Sequence, residues 1–386
     1  MRLFIAADDL TGALDASVPF SRRGIEVRVD LRSGIPPDQA VTVTAMTTES
    51  RHLSAEEAGA RVRVAAESAR KSGSDIFFKK VDSLLRGNVG AEIGGALAGF
   101  AAGRCYFSPA LPAQGRRVKG GRLLLDSGPL LEQMTDSLNP VTSEKIEDIL
   151  AAQTELSLLF DPADLGRDGI FIADAASDSE IETGVRQALT AGYTLFSGSS
   201  GMGGALARIV ASSGATLPED DTFELAEPLL IISGSRHPVS DRQTAALLEA
   251  KEASLVEIPP GGGTAENRSR ILAEIAPGRP VLLRTPFIEG ISLDQAKASA
   301  AVLADAVIQL LGSGEIASIF VAGGDTLSSI LYKLAVDTLR PETEPMPGTA
   351  AFPVTVGSDR ISFYSKSGAF GNEEYYLDFL KKGRNR

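Results

Sequence analysis

The sequence has very few of the residues that build redox and metal centres. It contains one cysteine, Cys105, two histidines, His52 and His237, and no tryptophan. A single cysteine excludes an intramolecular disulfide and a cysteine-based metal cluster. Two histidines exclude a histidine-rich metal site. Disulfide scaffolds and zinc-cluster proteins are therefore not candidates.

Long apolar runs and positive charge are also scarce. No stretch has the roughly 18 uninterrupted apolar residues of a membrane span. The start, MRLFIAADDLTG, reaches two aspartates before a signal-peptide apolar region can form, which predicts a cytoplasmic protein. The formal net charge of −12 argues against general binding to nucleic acid or anionic membranes. If the ligand is an anion, basic residues must therefore gather locally to bind it.

The pattern of the chain predicts an α/β fold of two domains. Its 386 residues exceed one ordinary core, and apolar runs, small polar turns and segments of helical period alternate throughout. The polar, acidic stretch Thr216–Thr222 predicts the junction between residues 1–220 and residues 221–386. We expect largely parallel sheets in both domains and a cleft between them.

Thirteen strands are predicted from the apolar runs. They lie near Leu3–Ala7, Glu26–Leu31, Val41–Met46, Ile76–Lys80, Cys105–Ser108, Leu156–Phe160, Ile170–Ala173, Thr194–Phe196, Leu229–Ser233, Leu255–Ile258, Val281–Arg284, Ile319–Ala322 and Val354–Val356. Ser54 and Glu57 have capping-box spacing and predict a helix start. Helices are also expected over Asp294–Leu311 and from Tyr375 onward.

Four predicted strand-to-helix junctions are rich in small or hydroxylated residues. In parallel sheets such junctions lie at the ligand-binding edge, where glycine lets the backbone approach an anion and helix N-termini offer N–H donors. Ordinary turn-making and capping are the favoured explanation of any one of them, but four together weaken that explanation. None is a Walker A loop or a dinucleotide fingerprint. The junctions are Ala7–Gly12, Ser197–Gly201, Ser233–Arg236 and Ala322–Thr326.

The segment from Phe77 to Asn88 places several charged residues at the end of one apolar strand. Lys80 and Asp82 share a face of an extended strand, and Arg86 and Asn88 follow on the turn. Such a set suits a hydroxylated carboxylic acid. A solvated loop with a weak ion pair is the alternative.

Further charged groups accompany the other junctions. Gln114–Lys119 is a second basic cluster, for which a solvated loop is the alternative. Asp8 and Asp9 suit proton acceptance from a hydroxyl or a part in holding Mg²⁺, although Asp9 also suits a helix cap. Asp325 is a further candidate in the second domain. Lys366–Gly371 fits either a loop over phosphates or a hairpin turn.

Eight motifs in one order make the chain resemble the four-carbon acid sugar kinase family. They are IAADDLTGALD, KKVDSLLRGNVGAE, PALPAQGR, DSLNPVTS, FSGSSGMGGALA, SGSRHPVSDRQ, VAGGDTLSSIL and KSGAFG, which together span nearly the whole chain. The resemblance implies an N-terminal sugar-binding domain, a C-terminal nucleotide-binding domain, and ATP-dependent phosphorylation of the terminal hydroxyl of erythronate, threonate or a 3-oxo-tetronate. Leu84, Arg122 and His237 depart from the family pattern. Leu84 and Arg122 fall in the sugar-binding domain and leave the particular acid open, whereas His237 would either alter nucleotide contacts or lie at the surface.

Site residues follow from the resemblance, motif by motif. Those that would face the sugar acid are Asp8, Asp9, Lys80, Asp82, Ser83, Arg86, Asn88, Gly115 and Arg116. Those that would face ATP are Ser233, Gly234, Ser235, Gly323, Gly324, Asp325, Thr326 and Gly368. The metal ligands are unknown.

The sequence thus predicts a phosphotransferase that uses ATP and Mg²⁺, with either Asp9 or Asp82 as the catalytic base and either Lys80 or Arg86 holding the substrate carboxylate. Transfer across the cleft with domain closure would exclude water. A two-domain sugar-acid sensor or carrier is the alternative, and a dehydrogenase is disfavoured by the missing fingerprint. The sequence is compatible with a homodimer and leaves the assembly open.

Overall fold

The computed structural model of the protein has two compact units, Met1–Leu217 and Pro218–Arg386. The predicted junction at Thr216–Thr222 falls outside the described residues, so the boundary at residue 220 stays a prediction. The structure describes residues 1–32, 34–35, 38, 40–133, 140–211, 223–259, 264–275, 279–286, 292–312 and 314–384.

The first unit is built on a parallel sheet of eight strands in the order β2-β3-β1-β4-β10-β5-β9-β8. Its central strands are buried along their whole length, as the uninterrupted apolar runs require. A separate antiparallel hairpin, β6 and β7, follows β5. The strands are β1 Leu3–Ala7, β2 Val27–Asp30, β3 Val43–Thr47, β4 Ile76–Lys80, β5 Arg104–Ser108, β6 Arg116–Lys119, β7 Arg122–Leu125, β8 Leu158–Leu159, β9 Gly169–Ile172 and β10 Leu195–Gly198.

Seven α-helices connect these strands in the described part of the unit. The predicted capping box is present at Ser54 and Glu57, where the serine accepts from the glutamate N–H and the glutamate reaches back to the cap. Phe4 stacks on Phe77 in the core at 5.9 Å between ring centroids. The helices are α1 Leu10–Ser21, α2 Ala55–Lys71, α3 Val89–Phe100, α4 Leu130–Gln133, α5 Ile146–Ala151, α6 Asp178–Thr190 and α7 Ser200–Val210.

The second unit has a sheet in the order β12-β13-β11-β14-β17-β16. All its neighbours are parallel except the β16/β17 hairpin. In its core, Phe379 packs edge to face against both Phe320 and Tyr364. Its strands are β11 Leu229–Ser233, β12 Ser254–Glu257, β13 Val281–Arg284, β14 Ser318–Ala322, β15 Thr338–Leu339, β16 Thr349–Val356 and β17 Asp359–Lys366, and its helices are α8 Pro238–Glu249, α9 Thr264–Glu274, α10 Leu293–Leu310, α11 Gly324–Lys333 and α12 Tyr375–Arg384.

The α/β fold and the largely parallel sheets are confirmed, and all thirteen predicted strands are present. Four strands among the described residues, β6, β7, β15 and β17, had no predicted counterpart. Within the basic cluster Gln114–Lys119, for which a solvated loop was the alternative, Arg116–Lys119 forms β6. Within the part of the chain that is described, no helix is long and apolar enough to cross a membrane.

Candidate functional site

Asp8 and Asp9 lie at the carboxyl end of β1 and are both bound by Arg51, from the loop after β3. Arg51 makes a bidentate contact with Asp8, from Nε at 2.7 Å and Nη2 at 3.0 Å, and its Nη1 reaches Asp9 at 2.6 Å. Although burial raises the pKa of Asp8, Arg51 and Lys79 lower it more, so that it lies below its ordinary value. Asp8 is therefore fixed as a carboxylate.

Asp9 also caps α1, which was one of the two roles considered for it from the sequence. Its Oδ1 accepts from the Gly12 N–H at 2.6 Å, and its Oδ2 accepts from the Thr11 hydroxyl at 3.0 Å as well as from Arg51. The two oxygens of Asp9 are thus engaged by three donors of the protein itself. Helix capping and a place in the polar cluster coexist at this residue.

Asp82 and Arg86 form a closed turn after β4. Arg86 donates from Nε and Nη2 to the two oxygens of Asp82, both at 2.8 Å, and the N–H groups of Leu84 and Arg86 add contacts at 3.2 Å. Burial raises the pKa of Asp82, but the charge and hydrogen bonds of Arg86 outweigh it and hold the pKa well below its usual range. Leu85 has a left-handed φ of 62° in this turn. The ion pair fixes a backbone conformation that a leucine rarely adopts.

The adjacent lysines of β4 point to opposite faces of the sheet and have different partners. Lys79 is fully buried and pairs with Glu92 of α3 at 3.0 Å. Lys80, 5% exposed, donates to the Val81 carbonyl at 2.9 Å. A Cβ built at Gly12 would lie 3.5 Å from Lys80 Nζ, so the ammonium lies directly against the start of α1.

Arg116 begins the β6/β7 hairpin and contacts the hydroxyl of Ser83. The left-handed turn at Gly115, with φ of 63°, leads the chain into this strand. Burial lowers the pKa of Arg116 to about 10, against the opposing charges of Asp82 and Asp15. Among the described residues, neither Arg116 nor Lys80 forms a direct ion pair with a carboxylate.

Asn88 has a structural place at the edge of this cluster. Its amide donates to the carbonyls of Ser50 and Leu53 at 3.2 and 3.0 Å. These bonds hold the loop that carries Arg51. The role expected for Asn88 at the substrate stays a prediction.

Three functional candidates in this unit were missed by sequence reasoning: Arg51, Asp15 and Ser200. Asp15 lies one turn after Gly12 on the same face of α1. Burial raises its pKa, and the hydroxyl of Ser200, from the start of α7, opposes that rise. Arg51 could have been found as the first cation after β3, which neighbours β1. Asp15 stands within the quoted motif IAADDLTGALD, and Ser200 within the predicted Ser197–Gly201 junction.

Three loops of the second unit meet at the carboxyl ends of β11, β14 and β17. The Gly234 N–H donates to the Ala322 carbonyl at 3.0 Å, and the Gly323 N–H donates to the Lys366 carbonyl at 3.2 Å. The Ser240 hydroxyl donates to the Gly368 carbonyl at 2.9 Å. The predicted ATP-facing residues of Ser233–Ser235, Gly323–Thr326 and Gly368 are therefore brought together.

Close packing explains the glycines of these loops. A Cβ at Gly234 would clash with the side chain of Thr326, and one at Gly368 would clash with the hydroxyl of Ser235. Gly323 has a φ of 120°, which suits glycine alone, and precedes α11 without a side-chain cap. The loops can thus present backbone N–H groups to an anion at close range. We name this set of loops the glycine cradle.

Lys366 lies beneath the glycine cradle and is 1% exposed. Its ammonium donates to the carbonyls of Ser367 and Phe370, both at 3.3 Å, and lies over the rings of Tyr375 and Tyr376. Burial lowers its pKa to about 7. Lys366 therefore orders the loop from inside instead of closing over a ligand.

The three residues that depart from the family pattern, Leu84, Arg122 and His237, have ordinary structural environments. Arg122 is exposed on β7 and lies 4.0 Å from Glu144, whereas Leu84 is buried. His237 caps α8 by accepting the Val239 N–H on Nδ1.

Two family models match the chain. One, a sugar-binding N-terminal domain, matches residues 3–206, and the other, a nucleotide-binding C-terminal domain, matches residues 230–376. The two units are thus those of a sugar kinase with its two binding domains in one chain. The chain belongs to the four-carbon acid sugar kinase family, which confirms the predicted resemblance and class of enzyme.

Curated relatives are similar over nearly their full length. The D-threonate kinase of Salmonella typhimurium is 26% identical, with 98% of both chains covered. The D-threonate kinase of Bordetella bronchiseptica is 29% identical, covering 99% of this chain and 97% of the relative. The D-erythronate kinase of Heliobacterium modesticaldum is 27% identical, covering 96% and 94%.

Solved structures agree with the fold. A crystal structure from Haemophilus influenzae, protein HI1011, has a TM-score of 0.70 at 20% identity and covers 98% of both chains. A Bordetella bronchiseptica structure with bound citrate, a domain-swapped dimer, has a TM-score of 0.50 at 26% identity, with both chains fully covered.

Proposed function

We propose that this chain transfers the γ-phosphoryl group of ATP to the terminal hydroxyl of a four-carbon sugar acid of the threonate, erythronate or 3-oxo-tetronate type. The observation that carries the proposal is that Lys80 and Arg116, two cations at the carboxyl edge of the sugar-binding sheet, have no carboxylate partner among the described residues. The nucleotide-binding unit supplies the glycine cradle for the phosphates.

Lys80 and Arg116 are the groups that we assign to the substrate carboxylate. Arg86, the other candidate from the sequence, already makes two hydrogen bonds to Asp82, so a substrate would have to compete with a buried ion pair. Burial makes the proton of Arg116 less tightly held, which an anionic ligand would reverse. An incoming carboxylate would thus gain two charge-assisted contacts.

The hydroxyl groups of a tetronate match the remaining polar groups. The hydroxyl of Ser83 contacts Arg116, and Asp82, the residue before Ser83, is held as an anion. Ser83 could donate to a substrate hydroxyl and Asp82 could accept from one, both close to the Arg116 guanidinium. The Bordetella bronchiseptica structure was solved with bound citrate, itself a hydroxylated carboxylate, which supports a hydroxylated acid as the ligand class.

ATP would bind through the glycine cradle, with Ser235, Thr326 and the backbone N–H groups of the α11 start facing the phosphates. Mg²⁺ enters this proposal with the nucleotide, where it would bridge phosphate oxygens and neutralise charge. The described residues contain no group of three His, Cys, Asp or Glu side chains fit to hold a metal ion. No protein ligand for the metal is therefore assigned.

The catalytic contribution of the chain in this proposal is positioning and electrostatics. Domain closure that excludes water, a cytoplasmic location and a homodimer stay predictions. The domain-swapped dimer of the Bordetella bronchiseptica relative supports the last of these.

Kinetics of three variants would test the assignment of the substrate carboxylate. Lys80→Met and Arg116→Met are each expected to raise the KM for the sugar acid by about 10- to 100-fold, the cost of one charge-assisted contact, and to leave the KM for ATP within about threefold. Lys119→Met, which removes an exposed cation from the same hairpin, is the matched control and is expected to change neither. Unchanged sugar-acid KM in both site variants would refute the assignment.

A further inference from the structure

Asp15 faces the same polar cluster as the predicted site residues, from a helix position that none of them occupies. It is half-buried on α1, one turn after Gly12, where the Lys80 ammonium lies against the start of the helix, and it interacts with the charges of Lys80, Asp9 and Arg116. Two of these neighbours are the cations assigned to the substrate carboxylate. Asp15 therefore lies beside the place where the sugar acid would bind.

The four carboxylates of this cluster, which belong to Asp8, Asp9, Asp15 and Asp82, differ in how many donors of the protein bind them. Asp8 and Asp82 are each held by a bidentate arginine, and Asp9 accepts from Arg51, Thr11 and the Gly12 N–H. These contacts occupy the carboxylate oxygens, so a substrate hydroxyl would have to displace a donor of the protein to reach them. Among the described residues, no arginine or lysine forms a direct ion pair with Asp15.

The electrostatic environment of Asp15 points the same way. Burial raises the pKa of Asp15, and Asp9 adds to this effect, while Lys80, Ser200 and Arg116 oppose it without cancelling it. By contrast, the pKa values of Asp8 and Asp82 are lowered. A general base works best when its pKa approaches the working pH, so Asp15 is the carboxylate of this cluster best suited to take a proton.

We propose that Asp15, and neither Asp9 nor Asp82, is the general base of the reaction, an inference that rests on the proposed kinase function. In the step, a carboxylate oxygen of Asp15 accepts the proton of the terminal hydroxyl of the sugar acid while the hydroxyl oxygen forms a bond to the γ-phosphorus. The bond from the γ-phosphorus to the bridging oxygen breaks, and ADP leaves with its electron pair. Asp15 then returns the proton to solvent.

The pH dependence of kcat distinguishes this role from a structural one. A base must be deprotonated, so activity is lost as the pH falls through the pKa of Asp15. Ser200→Ala removes a hydroxyl that lowers this pKa, and is expected to move the acid limb to higher pH by up to about one unit. Asp15→Asn is expected to lower kcat by about 10²- to 10⁴-fold and to abolish the acid limb, with KM changed less than about threefold.

The test compares the wild type, Asp15→Asn, Ser200→Ala and Asp82→Asn in pH profiles of ADP release, with circular dichroism to verify folding. Asp82→Asn is expected to keep the acid limb where it is. If the wild type is active and Asp15→Asn keeps its kcat, or only raises KM, the inference is overturned. If Asp15→Asn does not fold, an acid limb that Ser200→Ala leaves unmoved overturns it. A wild type without activity on any tetronate refutes the kinase proposal itself, and the inference with it.

Discussion

The two consecutive lysines of β4 offer a prediction in which neighbouring residues have opposite roles. Lys79 pairs with Glu92 in the core, where the two side chains are 0% and 1% exposed. Lys79→Met would leave the Glu92 carboxylate buried with its cation removed, a change that usually costs about 3–5 kcal/mol. Lys80→Met removes one hydrogen bond to a backbone carbonyl, of about 0.5–1.5 kcal/mol. It also relieves the burial of an ammonium that has no carboxylate partner.

The free energy of unfolding would be measured by urea titration followed by far-ultraviolet circular dichroism, since the chain has no tryptophan. We expect Lys79→Met to be destabilised by about 3 kcal/mol or more, and Lys80→Met by about 1 kcal/mol or less. Lys79→Met combined with Glu92→Gln should recover much of the loss, because no unpaired charge remains in the core. In the same samples, Lys80→Met alone should show the raised KM for the sugar acid.

Equal stability losses in the two single variants would refute the distinction between a structural and a functional lysine. So would a Lys79→Met variant that is as stable as the wild type, because the buried pair would then have no energetic role.

Three further predictions concern the turn after β4 and the glycine cradle. Arg86→Met should lower the free energy of unfolding by about 3–5 kcal/mol in urea titrations, because Asp82 is left buried and charged. In the wild type the folded pKa of Asp82 is lowered, so the stabilisation that its carboxylate provides should be lost as the pH falls through that folded pKa. Gly368→Ala should weaken ATP binding by about tenfold or more in calorimetry, because the added Cβ would clash with Ser235. Gly204→Ala is the control, since its added Cβ meets only the end of a flexible arginine, and should not weaken binding. Equal ATP affinity in the two variants would contradict the role of the glycine cradle. The lowered pKa of Lys366 means that the unfolded chain binds more protons above about pH 7, so the free energy of unfolding should rise by up to about 1.4 kcal/mol per pH unit between about pH 7 and 10, and Lys366→Met should flatten that rise.

The strands and their ligand-binding edge could be predicted because local patterns encode them. Apolar runs such as Leu3–Ala7 and Ile76–Lys80 match the structure residue for residue. The hairpin of β6 and β7 was missed because its segment Arg116–Lys119 has a single buried apolar residue, Val118, and reads as a basic loop. The Gly120–Gly121 turn after it was the available signal.

The partners of charged side chains could not be predicted, because they are set by contacts between residues far apart in the chain. Arg51 is 42 residues from Asp9 in sequence, and the pairing depends on β3 lying next to β1. Strand alternation places Lys79 and Lys80 on opposite faces, but only the position of α3 determines which lysine meets Glu92. For the same reason, the sequence left Arg86 and Lys80 as equal candidates for the substrate carboxylate.

The central claim is most directly tested by identifying the product that the purified protein forms from ATP, Mg²⁺ and each stereoisomer of threonate, erythronate and 3-oxo-tetronate. Phosphorus NMR separates sugar-acid phosphorylation from simple ATP hydrolysis, since both release ADP. The account predicts a phosphate monoester on the terminal carbon of at least one of these acids, formed in step with ADP. Formation of inorganic phosphate alone, or of no product with any of the acids, would contradict it.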